Sequence, residues 1–196
     1  MPNSEAPPRK VFLFSGHMVD ATGRPEQRFP ADKEPLAAKA IAGALDEIGA
    51  GPGDLAMCGG ACGGDILFAE ACLERGLRLE LRIPFDIPTF LEKSVTFAGG
   101  NWGERFYRLI SHAAATLLIM SDELGPTPAD ANPYEQDNMW QLESALAWGA
   151  ERVYFICLWD GKGGDGPGGT RHMLGEVKSR SGNVCVLDTA TIFREV

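Results

Sequence analysis

Residues 54–76 read DLAMCGGACGGDILFAEACLERG, and this stretch gives the strongest indication of the fold. Residues 54–58 are short and mostly apolar, as a buried strand would be. Four of the next six residues are glycine, and from Asp65 onward apolar residues recur at helical spacing. The stretch therefore predicts a strand that turns tightly into a helix. Such a turn presents unpaired backbone N–H groups at the positive end of a helix dipole, so we expect it to bind an anion.

The glycine loop at residues 59–64 does not match the two common phosphate fingerprints. Its glycines have the wrong offsets for the dinucleotide pattern, and Asp65 stands where a P-loop has lysine. A carboxylate there would repel a β- or γ-phosphate, so ATP hydrolysis of the usual kind is not expected. The backbone N–H groups of the loop are predicted to hold one phosphate, and Asp65 to take a ribose hydroxyl or to cap the helix. The structural alternative is a tight turn whose glycines serve only close packing.

Strand-like and helix-like segments alternate along the whole chain. Strands are predicted at 11–15, 54–58, 78–84, 116–120, 152–159 and 184–187. Helices are predicted at 31–49, after the glycine loop, and at 89–97, 104–112, 134–149 and 170–180. This alternation predicts an α/β fold with a Rossmann-like, open, mostly parallel sheet and helices on both faces, in three layers. Residues 1–9 are predicted to be a disordered leader, and residues 10–196 a single domain.

In sheets of this kind the ligand lies beyond the carboxyl ends of the strands. We therefore expect the loops at 16–20, 59–64, 85–89, 121–134 and 160–170 to line one cleft. The loop at 160–170 is a second glycine-rich segment, and Thr170 is expected to cap the helix that follows it. If this loop binds a ligand, it forms a second nest for an anion. The alternative is a flexible surface loop. The predicted ligand-binding residues are Gly16, His17, Gly59, Gly60, Ala61, Gly63, Gly64, Asp65, Asn138, Asp160, Gly168, Gly169 and Thr170.

The glycine loop resembles that of the SLOG superfamily, which includes DprA, the LOG enzymes, YpsA-like proteins and the sensor domain of TRPM channels. DprA-like members carry Ser-Gly-x-Ala-x-Gly-x-Asp after a strand, and residues 58–65 read CGGACGGD. Residues 83–85, IPF, resemble the exit of the next strand in YpsA-like proteins. Residues 167–170, PGGT, match the first part of the Pro-Gly-Gly-x-Gly-Thr-x-x-Glu loop of LOG enzymes. The resemblance spans roughly residues 11–187, with its specific motifs in the two glycine-rich loops.

The resemblance implies a domain that binds a nucleotide-derived ligand, such as ADP-ribose or a nucleoside monophosphate, as a sensor or effector in signalling. It also implies a homodimer. The alternative is a nucleotide N-glycosidase, a LOG-like phosphoribohydrolase, in which Glu135 or Glu176 stabilises the oxocarbenium ion. LOG enzymes also use an arginine, and residues 134–138, YEQDN, contain none, which argues against hydrolysis. A third possibility is an interaction domain with an empty cleft.

Composition limits the partners and the cell compartment. The net charge is −9 and there is no cluster of lysine and arginine, which argues against binding to nucleic acid. No apolar run approaches the length of a transmembrane helix, so no membrane partner is expected. Five cysteines without a repeated pattern favour a reducing cytoplasm. They form no metal-binding motif with histidine, and no metal or other cofactor is expected.

Overall fold

A computed structural model describes residues 6–162, 169–180 and 182–194. Within this part of the chain six strands form one sheet, in the order β4-β3-β2-β1-β5-β6 with every neighbouring pair parallel. The strands are β1 Val11–Gly16, β2 Leu55–Cys58, β3 Arg78–Ile83, β4 Ala115–Ile119, β5 Val153–Trp159 and β6 Asn183–Asp188. The predicted α/β, Rossmann-like parallel sheet is confirmed.

Helices cover both faces of the sheet, because each parallel connection must cross over one face. The helices are α1 Glu34–Ile48, α2 Gly64–Glu74, α3 Ile87–Phe90, α4 Trp102–Ile110, α5 Met120–Leu124, α6 Pro133–Leu146, α7 Thr170–Ser179 and α8 Thr189–Ile192. The apolar faces of α1, α2 and α4 form one core with the sheet, and those of α6 and α7 form a second core on the opposite face. Among the described residues, no helix combines the length and the apolarity needed to cross a membrane.

The predicted elements differ from the observed ones mainly at helix ends. The helix predicted at 31–49 begins as a 3₁₀ turn, Ala31–Lys33, and stops at Ile48, because Gly49 takes a left-handed conformation with φ 76°. The helix predicted at 89–97 is instead α3 followed by a π turn and a 3₁₀ turn, since Val95 leaves helical geometry at φ −124°. The short helices α5 and α8 were not expected.

Candidate ligand-binding site

A cavity of about 450 Å³ opens at the carboxyl edge of the sheet, above β1, β2 and β5. The chain places β2 on one side of β1 and β5 on the other, so the cavity lies at the point where the strand order reverses. Open α/β sheets bind their ligands at this position. The polar residues that line the cavity are Ser15, His17, Arg24, Arg28, Asp65, Ser94, Asn132, Tyr134, Asp137, Asn138, Gln141 and Thr170. Its aromatic lining is completed by Phe14, Phe90, Phe97 and Trp159.

Most of the residues predicted to bind a ligand lie together around this cavity. Those that line it are Gly16, His17, Gly59, Ala61, Asp65, Asn138, Gly169 and Thr170. Gly60, Gly63, Gly64 and Asp160 are predicted binding residues that do not line it. Gly168 is outside the described residues. The loops after β1, β2 and β5 therefore converge as the parallel sheet requires.

At least three backbone N–H groups of the glycine loop have hydrogen-bond acceptors within the chain. Ala61 donates to Oδ2 of Asp65 at 3.2 Å. Cys62 donates to the carbonyl oxygen of Ser94 at 2.8 Å, and Gly64 donates to that of His17 at 3.1 Å. The anion that this loop holds is thus the carboxylate of its own helix. A phosphate on this loop stays a prediction, and it would require the side chain of Asp65 to move.

Two of the glycines in the loop allow close packing rather than open space for a ligand. Gly63 has φ 94°, and a Cβ atom there would lie 2.7 Å from the backbone nitrogen of Val19. Gly60 has φ 78°, and its Cβ would lie 3.2 Å from the side chain of Leu81. Both positions need the conformations that glycine alone adopts easily. They hold the glycine loop against the segment after β1 and against β3.

Asp65 stands in the wall of the cavity, half-buried, at the start of α2. Burial raises the pKa of its carboxyl to about 7, although the N–H groups of Ala61, Gly60 and Gly59 favour the ionised form. Removal from water therefore outweighs the hydrogen bonds. Asp65 changes charge near neutral pH, which is uncommon for a carboxyl group and is a frequent property of functional sites.

Asp137 is a second carboxyl in the cavity. It belongs to the acidic start of the helix predicted at 134–149, which suits either the helix dipole or a ribose or general-base contact, and it is not among the predicted binding residues. It lies on the inner face of α6, whose first turn is capped by Asn132 through Tyr134. Oδ2 of Asp137 accepts a hydrogen bond from Nε2 of Gln141 at 2.8 Å. Burial raises the pKa of Asp137 well above its usual value, and the nearby charge of Asp65 raises it further. The helical spacing of Asp137 and Gln141 was the signal available in the sequence, and it did not reveal that this face points inward.

His17 links the segment that follows β1 to the segment that follows β5. Its Nε2 accepts a hydrogen bond from the backbone N–H of Asp160 at 3.2 Å, so the neutral ring carries its proton on Nδ1. Burial lowers the pKa of His17, and this exceeds the raising effect of the Asp160 carboxylate 3.4 Å away. At neutral pH His17 is an uncharged part of the cavity wall, and Asp160 supports it from behind.

The N-terminus of α7 faces the cavity beside β1. Gly169 is its N-cap, and Thr170 is the first helical residue; the expected capping role of Thr170 is therefore wrong. The hydroxyl group of Thr170 instead lies 3.1 Å from that of Ser15. Because Gly169 and Thr170 line the cavity, the positive end of the α7 dipole lies at its edge.

Arg24 and Arg28 bring positive charge into the cavity from the loop after β1. The carboxylate of Asp20 organises this loop by accepting hydrogen bonds from the backbone N–H groups of Arg28 and Phe29, both at 2.9 Å. Arg24 lies 3.5 Å from the same carboxyl group. The sequence prediction missed both arginines, because nothing in a polar loop shows which of its side chains turn inward.

Neither glutamate proposed as a catalytic residue lines the cavity. Glu135 lies in the first turn of α6. Glu176 lies on α7, where it contacts Arg180 at 3.2 Å and His172 at 3.9 Å. Among the described residues, no group of three His, Cys, Asp or Glu side chains is arranged to hold a metal ion. Within the described part of the chain, the carboxyl groups that line the cavity are those of Asp65 and Asp137.

Neither a protein-family model nor a curated protein matches the chain. A search of solved structures returns the Moco carrier protein of Chlamydomonas reinhardtii, with 12% identity over 96% of this chain and 99% of that one, at a TM-score of 0.37. It also returns DNA processing protein A (DprA) of Streptococcus pneumoniae, with 15% identity over 96% of this chain and 62% of that one, at a TM-score of 0.39. The likeness concerns the fold alone.

Proposed function

We propose that the protein binds a nucleotide-derived ligand, such as ADP-ribose or a nucleoside monophosphate, in the cavity at the carboxyl edge of the sheet. The observation that carries the proposal is that Arg24, Arg28 and the N-terminus of α7 line the same cavity as Asp65 and Asp137. Guanidinium groups and helix N-termini bind phosphate. The carboxyl group of Asp65 can bind a sugar hydroxyl group, and the cavity volume of about 450 Å³ lies within the usual range for small-molecule sites.

The aromatic residues provide a place for a base. Phe90 and Phe97 line the cavity, as does Tyr134, whose ring packs edge-on against Phe85 with centroids 5.4 Å apart. Flat heteroaromatic rings pack favourably on such side chains. A ligand with a phosphate, a sugar and a base would therefore find a complementary group for each part within one cavity.

We assign the phosphate to the two arginines and to α7 rather than to the glycine loop. The loop N–H groups of Ala61, Cys62 and Gly64 already have acceptors in the chain. A phosphate placed on them would also approach the carboxylate of Asp65, at a cost in repulsion. The arginines carry the opposite charge, which attracts phosphate.

The test compares phosphorylated with unphosphorylated ligands. Isothermal titration calorimetry would measure the affinity of AMP, ADP-ribose and adenosine for the parent and for Arg28→Gln. Loss of one charge-assisted hydrogen bond to phosphate is expected to lower the affinity for AMP about 10- to 100-fold and to leave the affinity for adenosine nearly unchanged. Arg108→Gln is the matched control, because Arg108 is exposed on α4 and its replacement changes the net charge equally.

The proposal fails if AMP and ADP-ribose do not bind the parent at millimolar concentration. Equal losses for AMP and adenosine in Arg28→Gln would place the phosphate elsewhere. An equal loss of AMP affinity in Arg108→Gln would show that only the overall charge matters, because long-range charge effects do not depend on the cavity.

The second candidate is a nucleotide N-glycosidase, and one observation favours it: two carboxyl groups with raised pKa values line the cavity. If hydrolysis occurs, Asp65 or Asp137 would be the carboxyl that acts, since Glu135 and Glu176 do not line the cavity. Chromatography of AMP reactions would detect free base. We expect turnover far below about one per second, the lower end of common enzyme rates. Faster turnover that Asp137→Asn abolishes would make the protein an enzyme.

Three broader expectations belong to the same proposal. We infer that the protein is a single domain that acts as a sensor or effector in the cytoplasm, and that it forms a homodimer. The cysteines of the described residues are free, in keeping with a reducing compartment. Light scattering would measure the molar mass in solution, and a monomer at micromolar concentration would remove the dimer from the proposal.

A further inference from the structure

Two buried polar atoms in the cavity wall lack a hydrogen-bond partner among the described residues. They are Oδ1 of Asp137 and Nε1 of Trp159. Asp137 is 4% exposed, Trp159 is 9% exposed, and both line the cavity. Buried polar atoms in folded proteins are nearly always paired, because an unpaired one loses its bond to water without replacement. Two such atoms, on two residues that line one cavity, are candidates for pairing with a ligand.

The surroundings of Asp137 determine which kind of partner it needs. Its Oδ2 accepts the hydrogen bond from Gln141, so the proton of the neutral acid belongs on Oδ1. The titratable groups that face it are Asp65 from α2, Arg82 from β3 and the thiol of Cys58 from β2. Burial and the charge of Asp65 raise the pKa of Asp137, and they exceed the lowering effects of Gln141 and Arg82. Neutral Asp137 therefore has an O–H donor without a partner on a residue that lines the cavity.

The indole of Trp159 is also a donor, since its Nε1 carries a hydrogen and has no lone pair to accept with. Trp159 is the last residue of β5, so its ring is held by the sheet. Asp137 is held by α6 and by Gln141. Both donors are thus fixed before a ligand arrives, which lowers the entropic cost of binding.

We propose that Asp137 and Trp159 are ligand-binding residues that act together as two hydrogen-bond donors, so that the ligand presents at least two acceptors, such as carbonyl oxygens or ring nitrogens of a base. Gln141 is the positioning residue that fixes the direction of the Asp137 donor. This inference rests on the proposed function and names the chemical feature that the cavity selects. An ionised Asp137 would select the opposite, a ligand group that donates, such as a ribose hydroxyl.

Substitutions at Asp137 separate the two possibilities. Asparagine reproduces the neutral acid, because its carbonyl oxygen accepts from Gln141 while its amide group donates into the cavity. Leucine has a similar size and provides no donor. Calorimetry with AMP and ADP-ribose at neutral pH should show Asp137→Leu about 10-fold weaker than the parent, with most of the affinity rescued in Asp137→Asn. Trp159→Phe, which keeps an aromatic ring but no donor, should also bind about 3- to 10-fold more weakly.

The pH dependence gives a second readout that a merely structural role would not change. Parent affinity should fall where raising the pH ionises Asp137, and the Asp137→Asn variant should lack that part of the pH dependence while keeping the part that comes from Asp65. Carbon-13 NMR of the unliganded parent should show a protonated Asp137 carboxyl at neutral pH, and this measurement does not depend on the leucine variant folding. Thermal unfolding of each variant checks the fold.

The outcomes are distinguishable from those that test the proposed function. If neither nucleotide binds the parent, the proposed function fails and this inference fails with it. If the parent binds but Asp137→Asn binds as weakly as Asp137→Leu, only the donor role of Asp137 is wrong. An ionised Asp137 in the carbon-13 spectrum at neutral pH overturns the inference whatever the binding results, and full affinity in Trp159→Phe removes Trp159 from the pair.

Discussion

Gly63 holds the glycine loop against the segment after β1, and replacing it tests this packing directly. The chain at Gly63 has φ 94° and ψ −123°, a region that residues with a side chain rarely enter. Forcing alanine into such a conformation costs about 1–3 kcal/mol. The new Cβ would also lie 2.7 Å from the backbone nitrogen of Val19 and 3.1 Å from the carbonyl oxygen of His17. Crowding of this kind adds about 1–3 kcal/mol.

We therefore expect Gly63→Ala to lower the free energy of unfolding by about 2–6 kcal/mol, out of the about 5–15 kcal/mol of an ordinary domain. Urea denaturation followed by tryptophan fluorescence would measure it. Gly23→Ala is the matched control: φ is 80°, yet no atom lies within 4 Å of the added Cβ, so only the backbone cost of about 1–2 kcal/mol applies. Gly43→Ala, inside α1 and also in open space, should instead stabilise by up to about 1 kcal/mol.

The result that refutes this reasoning is a Gly63→Ala protein no less stable than Gly23→Ala. The contact between the glycine loop and Val19 would then be absent, and with it the wall of the cavity. For the same reason, Gly63→Val would not be a clean test of phosphate binding on the glycine loop. That variant is expected to lose ligand, but loss of the local fold would explain it as well as a blocked phosphate. Variants of Arg28 and Asp137 test the ligand without this ambiguity.

Three other predictions concern charge. The pKa of Asp65 is about 7 in the folded state and about 4 in an unfolded chain. Between about pH 4 and about pH 7 the folded state therefore binds more protons than the unfolded state, and the free energy of unfolding falls as the pH rises through this range. Asp65→Asn should flatten this part of a urea-denaturation profile against pH, and an unchanged slope would show that Asp65 is not the group. Arg105, on α4, is 8% exposed and donates hydrogen bonds of 2.6–2.8 Å to Glu70 on α2 and Glu34 on α1. Arg105→Met should therefore lower the free energy of unfolding by about 2 kcal/mol in the same assay. An unchanged free energy of unfolding would contradict a structural role for Arg105. With a net charge of −9, the protein should not retain single-stranded DNA at physiological salt, and a micromolar dissociation constant by fluorescence anisotropy would disprove this.

The amino-acid sequence was enough to predict the class of the fold and the edge of the sheet that carries the cavity. Strands and helices are encoded locally, by apolar runs and by helical spacing, and their alternation leaves a parallel sheet as the arrangement that buries both faces. The sequence predicted the ends of helices less accurately where those ends depend on single turns. The helix predicted at 89–97 breaks up in the structure, because the chain there leaves helical geometry at Val95.

Which side chains share the cavity became visible only in the folded chain. The sequence predicts that the glycine loop is an anion site, and it leaves open whether Asp65 caps the helix or binds a ligand. In the structure, the side chain of Asp65 accepts a hydrogen bond from the backbone N–H of Ala61. Arg24, Arg28 and Asp137 enter the cavity from two other segments. Their direction depends on contacts with residues far along the chain, and so does the burial that raises the pKa of Asp137. Local sequence patterns do not predict such contacts, because they form only when distant segments pack together in the folded chain.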